Sequence, residues 1–471
     1  MAGKSSLRFH PRARQAGGAV LLTKGNPKKA IISFAFPIFL SQLFQQLYNT
    51  ADAWIVGHFR GTEALAAIGS TGSLVYLLIS FFVGASMGAG VVISRYFGAG
   101  DEERVSRAVH TNVLVSLISG VILSVFGFFM APHLLHWMGN DLQQSVNYLK
   151  LYFSGAIAMI MYNSLKGVLN AVGDSRRPLY YLIFSSLLNI ILDWLFVGVI
   201  GYGVGAAAIA TVISQGASAL LCLRQLCKKG NVYTLHLSKL RIDTSMLREI
   251  FKYGIPTGVQ NSVIGLANVL VQTNINSFGK NAMAACAAYS KIEGFAFLPI
   301  MSFSMALTTY IGQNLGAKEY DRAKIGARFG ILTSITLAEL IGVTTFFGAR
   351  LFIWAFDKNP DVIRIGVRQC HIESLFFLLL AFSHCIAGIC RGAGKAVVPM
   401  VIRLAVWCVF RITYITVAMK ISHTIDLLFW AYPITWSISS IIYLIYYRKS
   451  DWIHGFESHA ERRKKLEGNA L

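Results

Sequence analysis

The stretch YNTADAWIVGHF, Tyr48–Phe59, closes a long apolar run that begins near Ala30 and holds a carboxylate, Asp52, inside it. A charged side chain at the centre of a bilayer costs on the order of 3 kcal/mol or more, so an ionisable group there is a functional candidate by default. Asp52 ends a stripe: Gln42, Gln45, Asn49 and Asp52 are three, four and three residues apart, on one helical face. Such a stripe must face protein or water rather than lipid. It can serve as interhelical hydrogen bonds of about 0.6–2 kcal/mol each, or as the wall of a polar cavity. A second carboxylate, Asp193, lies in SLLNIILDWLFVG one turn after Asn189, and the next apolar segment offers Thr211. Counted inward from Phe59, Gly201 and Val204, Asp52, Asp193 and Thr211 lie seven or eight residues deep. That is roughly 10–12 Å at the helical rise, a shared level. Two carboxylates, an amide and a hydroxyl are hard oxygen ligands suited to Na⁺. Equally, two neighbouring carboxylates raise each other's proton affinity and can hold H⁺. The residues leave both ions open.

The elements that must position these groups are membrane helices. The 471-residue chain is 55% hydrophobic and 14% charged, with a mean hydropathy of +0.55, whereas a soluble domain is about a quarter charged. At roughly 20 apolar residues per crossing, the spacing predicts about twelve helices, over 31–57, 64–94, 107–131, 143–170, 178–200, 204–226, 249–277, 283–314, 324–348, 362–390, 398–420 and 427–447. The 43 Lys+Arg against 22 Asp+Glu give a net charge of +21. These positives gather in both tails and in alternate loops, such as Arg104/Arg107, Arg176/Arg177, Lys318–Arg328 and Arg391/Lys395, while intervening loops are nearly bare, the Arg350–Arg364 loop being the main exception. The positive-inside rule then places both termini in the cytoplasm, so the basicity is topology rather than a nucleic-acid surface. The first thirty residues lack the pattern of a cleavable signal peptide. The seven cysteines form no C-x-x-C pair and read as reduced packing residues, Cys385 and Cys390 included. Phosphate-loop, zinc-hydrolase and serine-hydrolase motifs are absent, which argues against an enzyme.

The chain is also written twice. RYFGAGDEERVSRA (95–108) is answered by QNLGAKEYDRAKIG (313–326), FAFPIFLSQ near Pro37 by YGIPTGVQN near Pro256, and NAVGDSRRPLYY (170–181) by RGAGKAVVPMVI (391–402), at offsets of 218 to 221 positions. Such parallel repeats predict two pseudo-symmetric six-helix lobes related by an axis along the membrane normal. The expected organisation is a basic tail 1–29, an N-lobe 30–228, a linker 229–248, a C-lobe 249–447 and a basic tail 448–471. The glycines before Pro178 and Pro399 predict turns that restart helices. Glycine-rich runs such as FVGASMGAGVVIS predict close helix approach. By the repeat, Gln42 and Asn49 map to Asn261 and Asn268, whereas Asp52 maps near Val271/Gln272 and Asp193 near Tyr414, so both carboxylates are lost in the second half. Glu293 and Lys291 are the next charges in apolar segments, followed by Arg411, His371, Glu373 and His384. Glu293 reads as a cation-recognising carboxylate or, by preference, as half of a buried ion pair with Arg411, and the histidines read as packing groups.

Taken in order, YNTADAWIVGHF, FGAGDEERV, NAVGDSRRP, NIILDWLFVGVIGYGVGAAAIAT and QNLGAKEYDRA resemble the multidrug and toxic compound extrusion (MATE) family of prokaryotic transporters over about Lys28–Tyr447. The resemblance implies a V-shaped pair of six-helix lobes in the cell membrane. It implies export of amphipathic, usually cationic small molecules in exchange for H⁺ or Na⁺, without a cofactor, by a chain expected to be monomeric. Carried over by position, Asp52, Asn189, Asp193 and Thr211 match the family's N-lobe coupling site, with Ala207 contributing a backbone carbonyl. Gln42, Gln45, Asn49, Asn261, Asn268, Gln272, Glu293 and Arg411 are then the expected substrate-cavity residues. The carboxylate used on the tenth span in one branch has no clear equivalent unless Glu373 serves. The alternative function is a flippase for lipid-linked oligosaccharides. A non-transporting membrane enzyme or scaffold would need a catalytic cluster or a soluble domain, and the sequence has neither.

Overall fold

With no water in the hydrocarbon core, a membrane chain must satisfy its backbone internally, and here it does so with helices. The computed structural model describes residues 19–137 and 143–457. Within them run α1 (Pro27–Gly61), α2 (62–99), α3 (Glu102–Trp137), α4 (Gln143–Ser154 and Ala156–Ala171, interrupted at Gly155), α5 (Arg176–Val199) and α6 (Gly205–Leu226). The second half repeats the series: α7 (Thr244–Asn276), α8 (Lys280–Gly316), α9 (Tyr320–Phe356), α10 (Pro360–Gly392), α11 (Val397–Ile421) and α12 (Ile425–Lys449). Among the described residues, ten segments are long and apolar enough to cross a membrane. The two that fall short are α4, broken in its middle, and α7, which carries Gln260, Asn261, Asn268 and Gln272. The chain is a multi-pass membrane protein with an all-α, two-lobe fold.

Local chemistry sets the helix ends. Asn26 accepts from the Lys28 and Lys29 amides ahead of Pro27, and Asn359 accepts from the Asp361 amide ahead of Pro360. Asparagine followed by proline satisfies a free amide and presets the first turn. Gly61, at φ 79°, parts α1 from α2. α7 begins at Thr244, five residues before the predicted start, because Asp243 caps it through the Ser245 and Met246 amides. Gly173 and Gly394 take positive φ in the two repeated turns, and Pro178 and Pro399 follow in the first turn of α5 and α11. Beside Gly173, burial pushes the Asp174 carboxyl up, against the opposing pull of Arg177 at 3.1 Å. Arg391 differs from its reading as a loop cation. It sits in the last turn of α10, 5% exposed, and its Nη2 donates to Ser304 Oγ of α8 at 3.1 Å.

Polarity is arranged for lipid. Val121, Ile122, Val125, Phe126 and Phe129 of α3 and Leu332, Leu340, Phe347 and Leu351 of α9 are exposed, while buried serines, threonines and amides lie between helices. The lobes meet along α2, α7 and α8, at the face of the molecule that also carries residues 19–26 and the α6–α7 linker. A Cβ on Gly98 would stand 2.0 Å from the Gln313 carbonyl, and one on Gly316 would stand 2.0 Å from the Arg95 carbonyl. Arg95 and Gln313, like Gly98 and Gly316, are repeat partners, so this contact is self-complementary across the pseudo-twofold axis. Gly84 meets Gly258 and Gly88 meets Gly254 in the same seam, each with a would-be Cβ at 2.5 Å or less from the partner backbone. The close helix approach expected from the glycine-rich run is therefore an interlobe contact.

Candidate functional site

Three helices of the N-lobe place the candidate coupling residues together. α1 supplies Asp52, α5 supplies Asn189 and Asp193, and α6 supplies Thr211 and Ala207. The carboxyl groups of Asp52 and Asp193 lie within hydrogen-bonding reach of each other. Asp193 and Asn189 are fully enclosed, whereas Asp52 is half-buried. Thr211 Oγ1 donates to the Ala207 carbonyl at 3.0 Å, which leaves the hydroxyl oxygen free to accept. A narrow polar crevice lined by Tyr48, Ser186, Asn189, Thr211 and Gln215 continues the site.

Several polar atoms here have no protein hydrogen-bond partner among the described residues: Asp52 Oδ1, both carboxylate oxygens of Asp193, both side-chain atoms of Asn189, Ser186 Oγ and Gln215 Oε1. Buried polar groups are almost always paired, which makes this cluster of unpaired polar atoms the N-lobe's candidate position for a small cation or a proton. Two carboxyl groups this close in an apolar setting cannot both stay ionised unless a cation stands between them, so the pair calls for either a proton or a metal cation. The wall behind the pair is apolar and aromatic, built by Ile55, Val56, Tyr148, Tyr152 and Val197. From Trp194 to Val199, immediately after Asp193, α5 widens into a π-helical turn, a local rearrangement that recurs at functional positions.

Sequence spacing did not single out Tyr48, Ser186 and Gln215. Gln215 Nε2 donates to the Tyr48 hydroxyl at 3.3 Å. All three lie one helical turn from a residue that was singled out, so the signal was the i±3/i±4 neighbour of each candidate.

The expected cavity residues divide. Gln42 reaches the other lobe, its Nε2 donating to Met305 Sδ at 3.8 Å, and Gln45 stands beside Tyr48. Asn49, Asn268 and Gln272 are exposed, Asn261 is half-buried, and Gln272 Nε2 donates locally to Asn276 at 2.9 Å. The expected Glu293–Arg411 ion pair is not formed within the 4 Å of a salt bridge. Arg411 instead donates to Thr435 Oγ1 at 2.9 Å and stacks over the Tyr432 ring at 4.5 Å and the Trp407 ring at 5.3 Å. Those contacts use its planar face and one arm. Glu293 shares the electrostatic neighbourhood of Glu373 and Arg411, and Glu373 accepts from Gln369 at 2.8 Å with its second oxygen unpaired. His371 is exposed against Phe346, and His384 is buried between Phe297 and Trp407. Among the described residues no three His, Cys, Asp or Glu side chains form a metal cluster.

Comparison with known proteins agrees with this architecture. The chain is 28% identical over 432 residues to the probable multidrug resistance protein YoeA of Bacillus subtilis, across 88% of this chain and 92% of the relative. It is 27% identical over 391 residues to the probable multidrug resistance protein NorM of Thermotoga maritima, across 81% and 83%. It superposes with a TM-score of 0.86 at 22% identity on the outward-facing structure of a MATE family multidrug resistance transporter, across 92% of this chain and 97% of the other. The MatE family profile matches twice, over residues 37–195 and 256–417, once in each repeat. Two family matches, one per lobe, show that the chain belongs to the MatE family.

Proposed function

We propose that this protein is a secondary active exporter that moves amphipathic, cationic small molecules out of the cell in exchange for H⁺. The Asp52–Asp193 carboxyl pair carries the reading. A shared proton is the simplest way for two contacting carboxyl groups to lie in an apolar wall. Its removal leaves adjacent charges that repel, and α1 must then shift against α5. A bound ion moves an equilibrium only by its differential affinity for the two states, and two carboxyls on separate helices supply that difference. The multidrug-resistance names of the relatives support drug-like cargo. Both termini face the cytoplasm, consistent with the basic residues gathered on that side. The cleft walls bearing Gln42, Asn49, Asn261 and Glu293 offer amides and a carboxylate to a cationic ligand.

The test is ethidium efflux from proteoliposomes under an imposed pH gradient or an imposed Na⁺ gradient, comparing the intact chain with Asp52→Asn. Efflux driven by the pH gradient and lost in the variant is the expected result. Efflux driven only by Na⁺ would overturn proton coupling, and efflux that survives Asp52→Asn would return Asp52 to helix packing.

A further inference from the structure

The C-lobe holds charge of the opposite sign, and the proposed cation exchange does not use it. Arg391 of α10 and Arg403 of α11 are each 5% exposed, and His384 is 4% exposed. His384 and Arg391 have Arg403 as their charged neighbour, with Tyr443 and Cys390 beside Arg391, and Tyr443 and Tyr76 lie near Arg403; no carboxylate is among these groups. Neither arginine forms an ion pair among the described residues. Arg391 gives one hydrogen bond to Ser304 Oγ, and Arg403 lies against the Trp407 ring at 5.0 Å. Arg391 Nε, Arg403 Nε and Nη2, and His384 Nε2 are buried without partners.

Two buried guanidiniums that lack a counter-charge are a large electrostatic cost inside a lobe, and the cost falls when an anion joins them. Their place says what can reach them. Arg403 sits at the start of the π-turn Leu404–Phe410 on α11, which packs on α7. On the N-lobe side, Tyr76 of α2 is 55% exposed and lies within electrostatic reach of Arg403. Tyr76 stands two turns beyond Gly84, where the interlobe seam closes. Arg403 therefore lies near an exposed residue of the opposite lobe, close to the interlobe seam.

We propose that Arg391, Arg403 and His384 form a binding site for a phosphate monoester group carried by an amphipathic molecule. Two guanidiniums match the near-double charge of such a group, and their forked donors suit its oxygens. His384 adds a ring nitrogen, and Phe297 and Trp407, both packed on the His384 ring, supply apolar contacts for the rest of the ligand. The site is independent of the coupling ion.

Calorimetric titration of the detergent-purified full chain, with no gradient, tests this with octyl phosphate, inorganic phosphate and octanoate. Octyl phosphate is expected to bind at least tenfold more weakly to Arg391→Gln and to Arg403→Gln, with Arg403→Lys intermediate. Binding of inorganic phosphate with similar affinity would identify a free-anion site of the same chemistry. Preference for octanoate, no binding of any probe, or binding unchanged within twofold in both glutamine variants would overturn the proposal. Should those variants fail to fold, phenylglyoxal modification of the wild-type chain, mapped by peptide mass, is read instead. Octyl phosphate is expected to slow modification of Arg391 and Arg403 at least fivefold, and unchanged modification would overturn the site. Because no efflux is measured, the result stands whether or not the cation-export reading holds.

Discussion

Asp52 and Asp193 are related to Asn189 and Thr211 as a charged pair is to its neutral surround, and the two ion chemistries weight that surround differently. In a proton site the carboxyls do the binding, and Thr211, already donating to the Ala207 carbonyl at 3.0 Å, only tunes it. In a Na⁺ site its oxygen is a ligand. Thr211→Val is therefore expected to keep pH-gradient-driven efflux within about tenfold of the intact chain, the worth of one neutral hydrogen bond. Asp193→Asn is expected to abolish it, because an amide cannot take up and release the coupling proton. Equal losses in the two variants, read as initial efflux rates, would contradict the proton assignment. The N-lobe set was legible in the sequence because depth counting needs only helix ends and a 1.5 Å rise. The C-lobe was less legible. Arg391 looked like a loop cation because it stands beside Gly392 and Gly394, yet packing draws it inside. The Glu293–Arg411 pairing inferred from opposite charge gave way to ring faces and Thr435, which no one-dimensional spacing encodes.

At the scale of helices, small residues decide where backbones touch. α2 was legible as a glycine-rich helix, and the repeat located its counterpart, but the sequence could not say that the two pack on each other through Gly98 and Gly316. That contact is a property of how the lobes are docked. It yields a differential expectation. Gly98→Ala drives a Cβ to 2.0 Å from the Gln313 carbonyl, and overpacking of that kind costs about 1–3 kcal/mol. Gly294→Ala, in α8 with nothing within 4 Å of the added carbon, removes a helix-weakening glycine and is expected to be neutral or stabilising by up to about 1 kcal/mol. Thermal unfolding of the detergent-purified variants compares them. A Gly98→Ala protein at least as stable as the Gly294→Ala protein would show that the seam yields freely. Elements also explain why α4 and α7 are the less apolar crossings. Gly155 breaks α4 where its Cβ would strike Val212 of α6, and α7 gives up hydropathy for its amides Gln260, Asn261, Asn268 and Gln272.

At the scale of the whole molecule, a strap joins the two lobes. Residues 19–25 run under both lobes: the Val20 amide donates to the Val172 carbonyl at 3.1 Å, and the Leu22 amide donates to Gln313 Oε1 at 2.9 Å. Gln313 Nε2 in turn donates to the Ala171 carbonyl at 2.9 Å, and Arg322 donates to the carbonyls of Leu22, Lys24 and Gly25. One amide of the C-lobe thus ties the end of α4 in the N-lobe to the N-terminal segment, beside the Gly98–Gly316 contact. In the proposed export cycle that face opens to load cargo, so these bonds would belong to one of the two states and bias the equilibrium toward it. Gln313→Leu keeps the volume and removes both bonds, each buried, at about 1–3 kcal/mol per group left unpaired. Hydrogen exchange of the amides of residues 20–24 and 170–174 is expected to quicken by about ten- to a hundredfold in the variant, while α9 and α12 keep their protection. Spin labels at Arg176 and Lys318, one on each lobe at this face, are expected to gain a longer-distance population in parallel. Exchange that quickens with no change in that distance would confine Gln313 to anchoring the strap, and the lobes would then owe their closure to the glycine seam alone.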